Sequence, residues 1–407
     1  MNAVATDKRP ALLGGRPEFD QAVPVGQLYF PDWQRYEAAF RDIFRRQYYT
    51  NHGPLAQKFE QRLAEFLGVR HVVCVTNATI GLMMAVKALE LSGKVVVPAF
   101  TFSASAQGLT WAGVEPCFCD VDPHTQQVSP ETVAAAIDRH NGKGEIGAIL
   151  GVNLWGGACR PQALQALAQA RGLPLFFDSA HAFGCRIGPT AIGNFGALEV
   201  FSFHATKILG ATEGGCLVTG DDRLAARLRN IRSSYGAGPA VEVPLTSNGR
   251  MSEAQAAIGL MNLDDYDANR ECNRAQYDVY RRRLAGVEGL HLVEPTGVDE
   301  TNYQYIVAEV DEARFGMSRD LLLKALKAEN VIARRYFFPG LQRVVPYRDT
   351  LPQYVEALPV TDQLCATSIQ FPIGALTDES MVGRICDCIE NVRAFAGEVR
   401  AQEEKSA

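Results

Sequence analysis

No apolar run in this 407-residue sequence approaches the roughly 18–20 residues needed to cross a bilayer, so no membrane-spanning helix is expected. Residues Met1 to Pro10 also lack the apolar stretch of a secretory signal, and a cytoplasmic protein is expected. A basic excess is missing. Lys+Arg 40 against Asp+Glu 46 gives a net charge of -6, which argues against a surface built to neutralise nucleic-acid phosphates. The ten cysteines have no zinc-ligand spacing, and Cys74, Cys117, Cys119 and Cys216 sit inside apolar strands, where free Cys acts as a small hydrophobe. Neither a metal site nor a disulfide framework is expected. The first strand is not followed by Gly-x-Gly-x-x-Gly, which removes a nicotinamide dehydrogenase, and no Gly-Lys-Ser/Thr element marks a P-loop. There is no internal repeat and no low-complexity block.

What is present is enough apolar residue, 47%, for one large core and a smaller one. Short buried strands alternate with helical patterns from Leu55 to Thr219: His71–Val75, Val95–Val97, Pro116–Val121, Ile146–Val152, Phe176–Asp178, Val200–Phe203 and Cys216–Thr219 read as strands. That alternation predicts an α/β fold with a mostly parallel central sheet and helices on both faces, whose ligands gather at the C-terminal strand ends. Three regions are expected: an irregular N-terminal arm, 1–30, over the large domain; a large domain, 31–270; and a smaller α+β C-terminal domain, 271–407. Trp33, Tyr36, Phe40 and Phe44 recur at helical spacing and read as core packing. The charged tail from Gly397 reads as frayed.

Two residues stand out at the strand ends. Asp178 closes the run Leu175-Phe176-Phe177, and a strand buried on both faces should not end in a carboxylate without a partner. Lys207 follows Ser202-Phe203-His204-Ala205-Thr206 in apolar surroundings, which lower an ammonium pKa and favour a nucleophilic amine able to form a Schiff base. Read singly, Asp178 is also a strand-end cap and Lys207 a solvated side chain. The protonated ring nitrogen of pyridoxal phosphate is one partner that suits the acid. Upstream, Thr76-Asn77-Ala78-Thr79-Ile80-Gly81 lies between a strand and a helix, where free N–H groups and the helix dipole favour an anion; the bland alternative is a plain helix cap. Phe102, just past a strand end, reads as core or as a ring that stacks on a flat ligand.

Together, Asp178-Ser-Ala-His181, Ser202-Phe-His-Ala-Thr-Lys207 and Glu213-Gly-Gly215 resemble the DegT/DnrJ/EryC1/StrS family of sugar aminotransferases, from about Gly14 to about Val392. The resemblance implies a fold type I transferase dependent on pyridoxal 5'-phosphate. It implies Lys207 as the catalytic lysine, Asp178 at the ring nitrogen, His181 and Phe102 near the ring, and Thr79, the Ile80 amide and Ser202 at the phosphate. It also implies a homodimer with shared sites, Asn248 of the partner subunit reaching the phosphate, and substrate contacts from Tyr336 and Asn51. His181 reads equally as a core histidine, and the Asn51 segment as a plain turn. The reaction implied is transfer of an amino group, with glutamate as donor, to a keto group of a nucleotide-linked, dTDP-4-keto-6-deoxy, sugar. Gln342 stands where relatives often carry His. Two rivals share the scaffold: a sugar dehydratase, in which the lysine is replaced by histidine, and a non-catalytic cofactor-binding regulator.

Overall fold

A computed structural model of the chain describes residues 8–140, 146–236 and 238–405. Residues 1–7 of the expected arm lie outside the described residues. The end of that arm meets the large domain as expected, where Asn262 donates to the Tyr29 carbonyl at 3.0 Å, but the part before it docks on the C-terminal domain. Its strand β1 (Val23–Pro24) pairs in parallel with Val331–Ile332, and Phe19 and Val23 join the C-terminal hydrophobic core. Glu329 fixes the arm by accepting the N–H groups of Ala11 at 2.7 Å and Glu18 at 2.9 Å.

The central sheet is built from β2 (His71–Val75), β3 (Lys94–Pro98), β4 (Glu115–Cys119), β5 (Ile146–Val152), β6 (Leu175–Asp178), β9 (Glu199–Ser202) and β10 (Gly215–Thr219). Between β6 and β9 a small hairpin joins β7 (Arg186–Ile187) to β8 (Thr190–Ala191). The sheet order is β2-β10-β9-β6-β5-β3-β4. Strands β9, β6, β5, β3 and β4 run parallel, and β10 is antiparallel to both of its neighbours.

Strand period decides which side chain serves which layer. Val95 and Val97 fall in one core cluster and Val96 in the other, all fully buried. Phe176 and Val200 belong to the first cluster, Phe177 and Phe201 to the second. Asp178 and Ser202, two residues further on, therefore lie on the face of Phe176 and Val200. Each fully buried valine or phenylalanine contributes about 1.5–3 kcal/mol, so a one-residue slip in β6 or β9 is strongly opposed.

Helices cover both faces. Those that matter for the site are α1 (Trp33–Arg46), α2 (Pro54–Leu67), α3 (Ala78–Ala88) and α4 (Ser103–Trp111). The helix Glu253–Asp264 is capped reciprocally by Ser252 and Gln255, as the Ser-x-x-Gln spacing favours. After the helix Tyr266–Leu284, an antiparallel sheet of β11 (Leu290–Leu292), β12 (Ile306–Val310) and β14 (Ser368–Phe371) forms, with β13 (Val331–Ile332) holding the arm. The segment before β14 turns back to the large sheet, where Tyr347, Tyr354, Leu358 and Leu364 share a core with Val95 and Leu150.

Two further expectations change. In α1 only Ile43 is buried: Tyr36 and Phe40 are half-buried, while Trp33 is 69% and Phe44 68% exposed, because among the described residues nothing covers the two ends of the aromatic stripe that helical spacing creates. The tail is not frayed: Ala396–Glu404 is a helix, anchored by the fully buried Val399 and a Lys324–Glu403 ion pair. Among the described residues, no helix is long and apolar enough to cross a membrane.

Candidate active site

Parallel strands deliver their C-terminal ends to one edge of the sheet, and the antiparallel β10 begins there. Asp178 is buried at the end of β6. Its Oδ2 accepts the Ser105 hydroxyl at 2.8 Å and its Oδ1 the Ala180 N–H at 3.1 Å. Burial pushes the carboxyl above its usual range, against the pull of Ser105, the Ala180 N–H and the Lys207 charge. Behind it, Ser179 donates to the buried Glu199, which also accepts the N–H groups of Gly193 at 2.7 Å and Phe195 at 2.9 Å. Burial raises Glu199 to about 7, although these donors oppose the rise. This network fixes the turn that carries Asp178.

Lys207 sits in the tight connection from β9 to β10. Its N–H donates to the His204 carbonyl at 2.8 Å, and the next N–H, of Ile208, donates to Gln304 Oε1 at 3.1 Å. Its Nζ donates to the Tyr305 hydroxyl at 2.8 Å. Burial lowers the amine to about 8; the Asp178 charge acts in the opposite direction, and the Arg334 charge adds to the fall. The amine and the acid thus feel each other across one edge of the sheet. His181 is buried, its Nδ1 has no hydrogen-bond partner among the described residues, and burial followed by the Lys207 charge holds its imidazole well below the usual range. It packs 4.3 Å from the Tyr305 ring and 5.4 Å from Trp155, centroid to centroid. Trp155 has a left-handed backbone (φ 59) and stacks on Phe337 at 5.1 Å.

The start of α3 closes the other side. Asn77 caps it by accepting the Ile80 N–H at 2.9 Å, so the amide expected to serve a phosphate is engaged within the chain. The N–H groups of Ala78 and Thr79, first in the helix, have no helical acceptor. Gly215, paired with Ser202, brings β10 so close that a Cβ there would stand 2.8 Å from the Ala78 nitrogen. Thr79 and Ser202 are both partly buried at this edge. Phe102, 53% exposed, stands beyond the end of β3 as the residue before α4.

The remaining expected residues are more scattered. Tyr336 lines the pocket that holds Lys207, together with Tyr305, Arg334, Gln370 and Gly26. Asn51 (φ 65) and Asn248 are exposed on loops, and neither lines that pocket. Gln342 is buried and donates to Asp362 at 2.8 Å instead of facing the site. Tyr305, Ser105, Glu199 and Trp155 were not picked out as site residues from the sequence. Only Trp155, beside a strand end, carried a usable signal; the others reach the site through long-range packing.

A buried acid, an amine of lowered pKa, an unpartnered imidazole and a helix start with free N–H groups match the charge and donor needs of pyridoxal phosphate. On this fold they define a pyridoxal-phosphate-dependent transaminase. Residues 33–390 match the DegT/DnrJ/EryC1/StrS aminotransferase family, and the chain belongs to it. A crystal structure of DesI in the presence of its TDP-sugar product superposes with a TM-score of 0.88 at 38% identity, covering 97% of this chain and 98% of that one. The dTDP-4-amino-4,6-dideoxy-D-glucose transaminase of Shigella dysenteriae is 34% identical over 79% of this chain and 86% of its own. GDP-perosamine synthase of Vibrio cholerae is 29% identical over 84% of this chain and 92% of its own.

Proposed function

We propose that this transaminase moves an amino group from glutamate to the ketone of a nucleotide-linked sugar, specifically a dTDP-4-keto-6-deoxy sugar. The observation that carries the reading is that Asp178, at the end of β6, lies close enough to Lys207, in the connection that leaves the neighbouring β9, for its charge to oppose the effect of burial on the Lys207 amine. The choice of sugar rests on the TDP-sugar product of DesI and the dTDP-sugar named for the Shigella relative.

Pyridoxal phosphate, when bound, supplies a sink for the electrons released at the reacting carbon. Lys207 holds it, and the neutral Nζ takes a proton from the donor's α-carbon and later returns one to the sugar carbon. Asp178 would keep the ring nitrogen charged. Thr79, Ser202 and the first N–H groups of α3, the Ile80 N–H shared with Asn77, would bind the phosphate. Phe102 and His181 would flank the ring, and Tyr336 and Asn51 would meet the sugar. The site is completed in a homodimer by Asn248 of the partner subunit, and the exposed Trp33 and Phe44 of α1 support such an interface.

The test is an absorbance spectrum of the purified protein before and after excess glutamate, with Lys207→Ala alongside. A visible band that glutamate bleaches, absent from the variant, and restored by a dTDP-4-keto-6-deoxy sugar, is the expected result. A protein whose band ignores every amino donor would overturn the reading.

A further inference from the structure

Arg334 and Arg335 are neighbours with different fates. Arg335 is already occupied: it pairs with Asp320 at 3.4 Å and stacks 4.2 Å over the Phe338 ring. Arg334 is exposed and lines the Lys207 pocket, and its one side-chain hydrogen bond among the described residues, 3.2 Å, goes to the neutral hydroxyl of Tyr336. No carboxylate neutralises it among those residues, yet its charge is close enough to act on the Lys207 amine.

The backbone of Arg334 is held in place. It exchanges both hydrogen bonds with Gln370, N–H to carbonyl at 3.0 Å and carbonyl to N–H at 2.7 Å, which ties it to β14. The guanidinium lies over Gly26, where a Cβ would come within 3.3 Å of Nη2 and 2.8 Å of Thr206 Cγ2. Gln370 lines the same pocket, is 4% exposed, and its Oε1 has no hydrogen-bond partner among the described residues. A cation that no acid among the described residues neutralises, beside the reacting amine, is an arrangement that calls for an anionic ligand, whereas the Gln370 Oε1 next to it is an acceptor and takes a donor group of the same ligand. An arginine fork matches a planar carboxylate in two hydrogen bonds.

We propose that Arg334 binds the side-chain carboxylate of the amino donor, and so selects an acidic amino acid for the first half of the reaction. The inference rests on the transaminase reading and adds a specificity residue to it. The diphosphate of a nucleotide sugar is the other anion that could reach a guanidinium, and the two half-reactions separate these sources.

The experiment follows the visible band of the holoenzyme by stopped flow, for the wild type, Arg334→Gln and Arg334→Lys. Bleaching by glutamate reports the donor half-reaction; recovery of the band on adding the keto sugar nucleotide reports the acceptor half-reaction. For Arg334→Gln, with the resting band intact, the glutamate concentration for half-maximal rate should rise roughly 10- to 100-fold, the loss expected for a charged hydrogen bond. Arg334→Lys should recover part of it, and acceptor kinetics should stay within about twofold. Unchanged glutamate dependence would overturn the proposal, and so would a defect confined to the nucleotide-sugar step, which would assign Arg334 to the diphosphate. If the wild-type band ignores all amino donors, the transaminase reading itself fails first, and is told apart by that control.

Discussion

The lowered amine of Lys207 makes a pH dependence that can be calculated and measured. At about 8 instead of the ordinary 10.4, roughly a tenth of the amine is neutral at pH 7, against on the order of one part in 10³ or less for a solvated lysine. Only the neutral amine attacks a carbonyl. Capture of pyridoxal phosphate by the stripped protein should therefore quicken about fivefold from pH 7 to 8 and less than about twofold from 8 to 9. A solvated lysine would gain about tenfold at each step. The assay is stopped-flow absorbance after mixing stripped protein with the cofactor, with a free primary amine run in parallel to remove the aldehyde's own titration. Two substitutions move the midpoint in opposite directions. Asp178→Asn removes the charge that raises the amine, so the midpoint falls; Arg334→Gln removes a charge that lowers it, so the midpoint rises. A rate still climbing tenfold per pH unit above 8 would refute the buried-amine argument, and shifts of the wrong sign would refute the assignment of its neighbours.

Glu60, which accepts Arg232 Nη1 at 2.5 Å, the Cys74 N–H at 2.9 Å and His52 at 2.8 Å, should cost about 3–5 kcal/mol when changed to Leu, because Arg232, 1% exposed, is left buried and unpaired. Burial alone would raise the Glu60 carboxyl, but His52, Arg232 and the Cys74 N–H outweigh it and the net shift is downward. Its stabilisation is therefore complete above the unfolded value of about 4.3 and is lost as pH falls through the lower folded value; urea unfolding at pH 7 and below pH 4 should show a wild-type advantage over Glu60→Leu that shrinks in acid. Gly215→Ala would drive a methyl to within 2.7 Å of the Phe201 carbonyl and 2.8 Å of the Ala78 nitrogen, so the start of α3 must shift. Cofactor retention on dilution should drop by about tenfold or more, at about 1–3 kcal/mol of overpacking, with secondary structure unchanged by circular dichroism. Replacing Trp33 and Phe44 together by Glu should turn the proposed dimer into monomers in sedimentation velocity without unfolding the chain, since both side chains are mostly solvent-exposed within the single chain.

The central sheet was legible because its information is local. A buried parallel strand needs consecutive apolar residues, and the alternation with helices leaves few other folds. Strand starts and ends were off by a residue or two, as at β4, read as Pro116–Val121 and observed as Glu115–Cys119. Asp178 and Lys207 were legible for a related reason: a carboxylate and an amine at the ends of apolar strands conflict with burial unless something uses them. Helical spacing in α1, by contrast, reported only that an apolar stripe exists. Whether a stripe is covered depends on what packs against it, and no local pattern carries that information.

The parts that escaped the sequence are those made by residues far apart in the chain. Tyr305 reaches Lys207 across 98 positions, and Ser105 reaches Asp178 across 73. Nothing adjacent to either residue announces the contact. The Ile80 amide looked available because a helix start offers free donors; a side chain three residues back had already taken it. The arm likewise read as irregular, yet docks on β13 through Glu329, which follows it by more than three hundred residues. Short-range polarity and periodicity determined the sheet and its strand-end chemistry, and the resemblance of the Asp178, Lys207 and Glu213 motifs to the family supplied the cofactor. The packing of distant segments determined which donors are free, which charge faces the amine, and which apolar surface the chain leaves open.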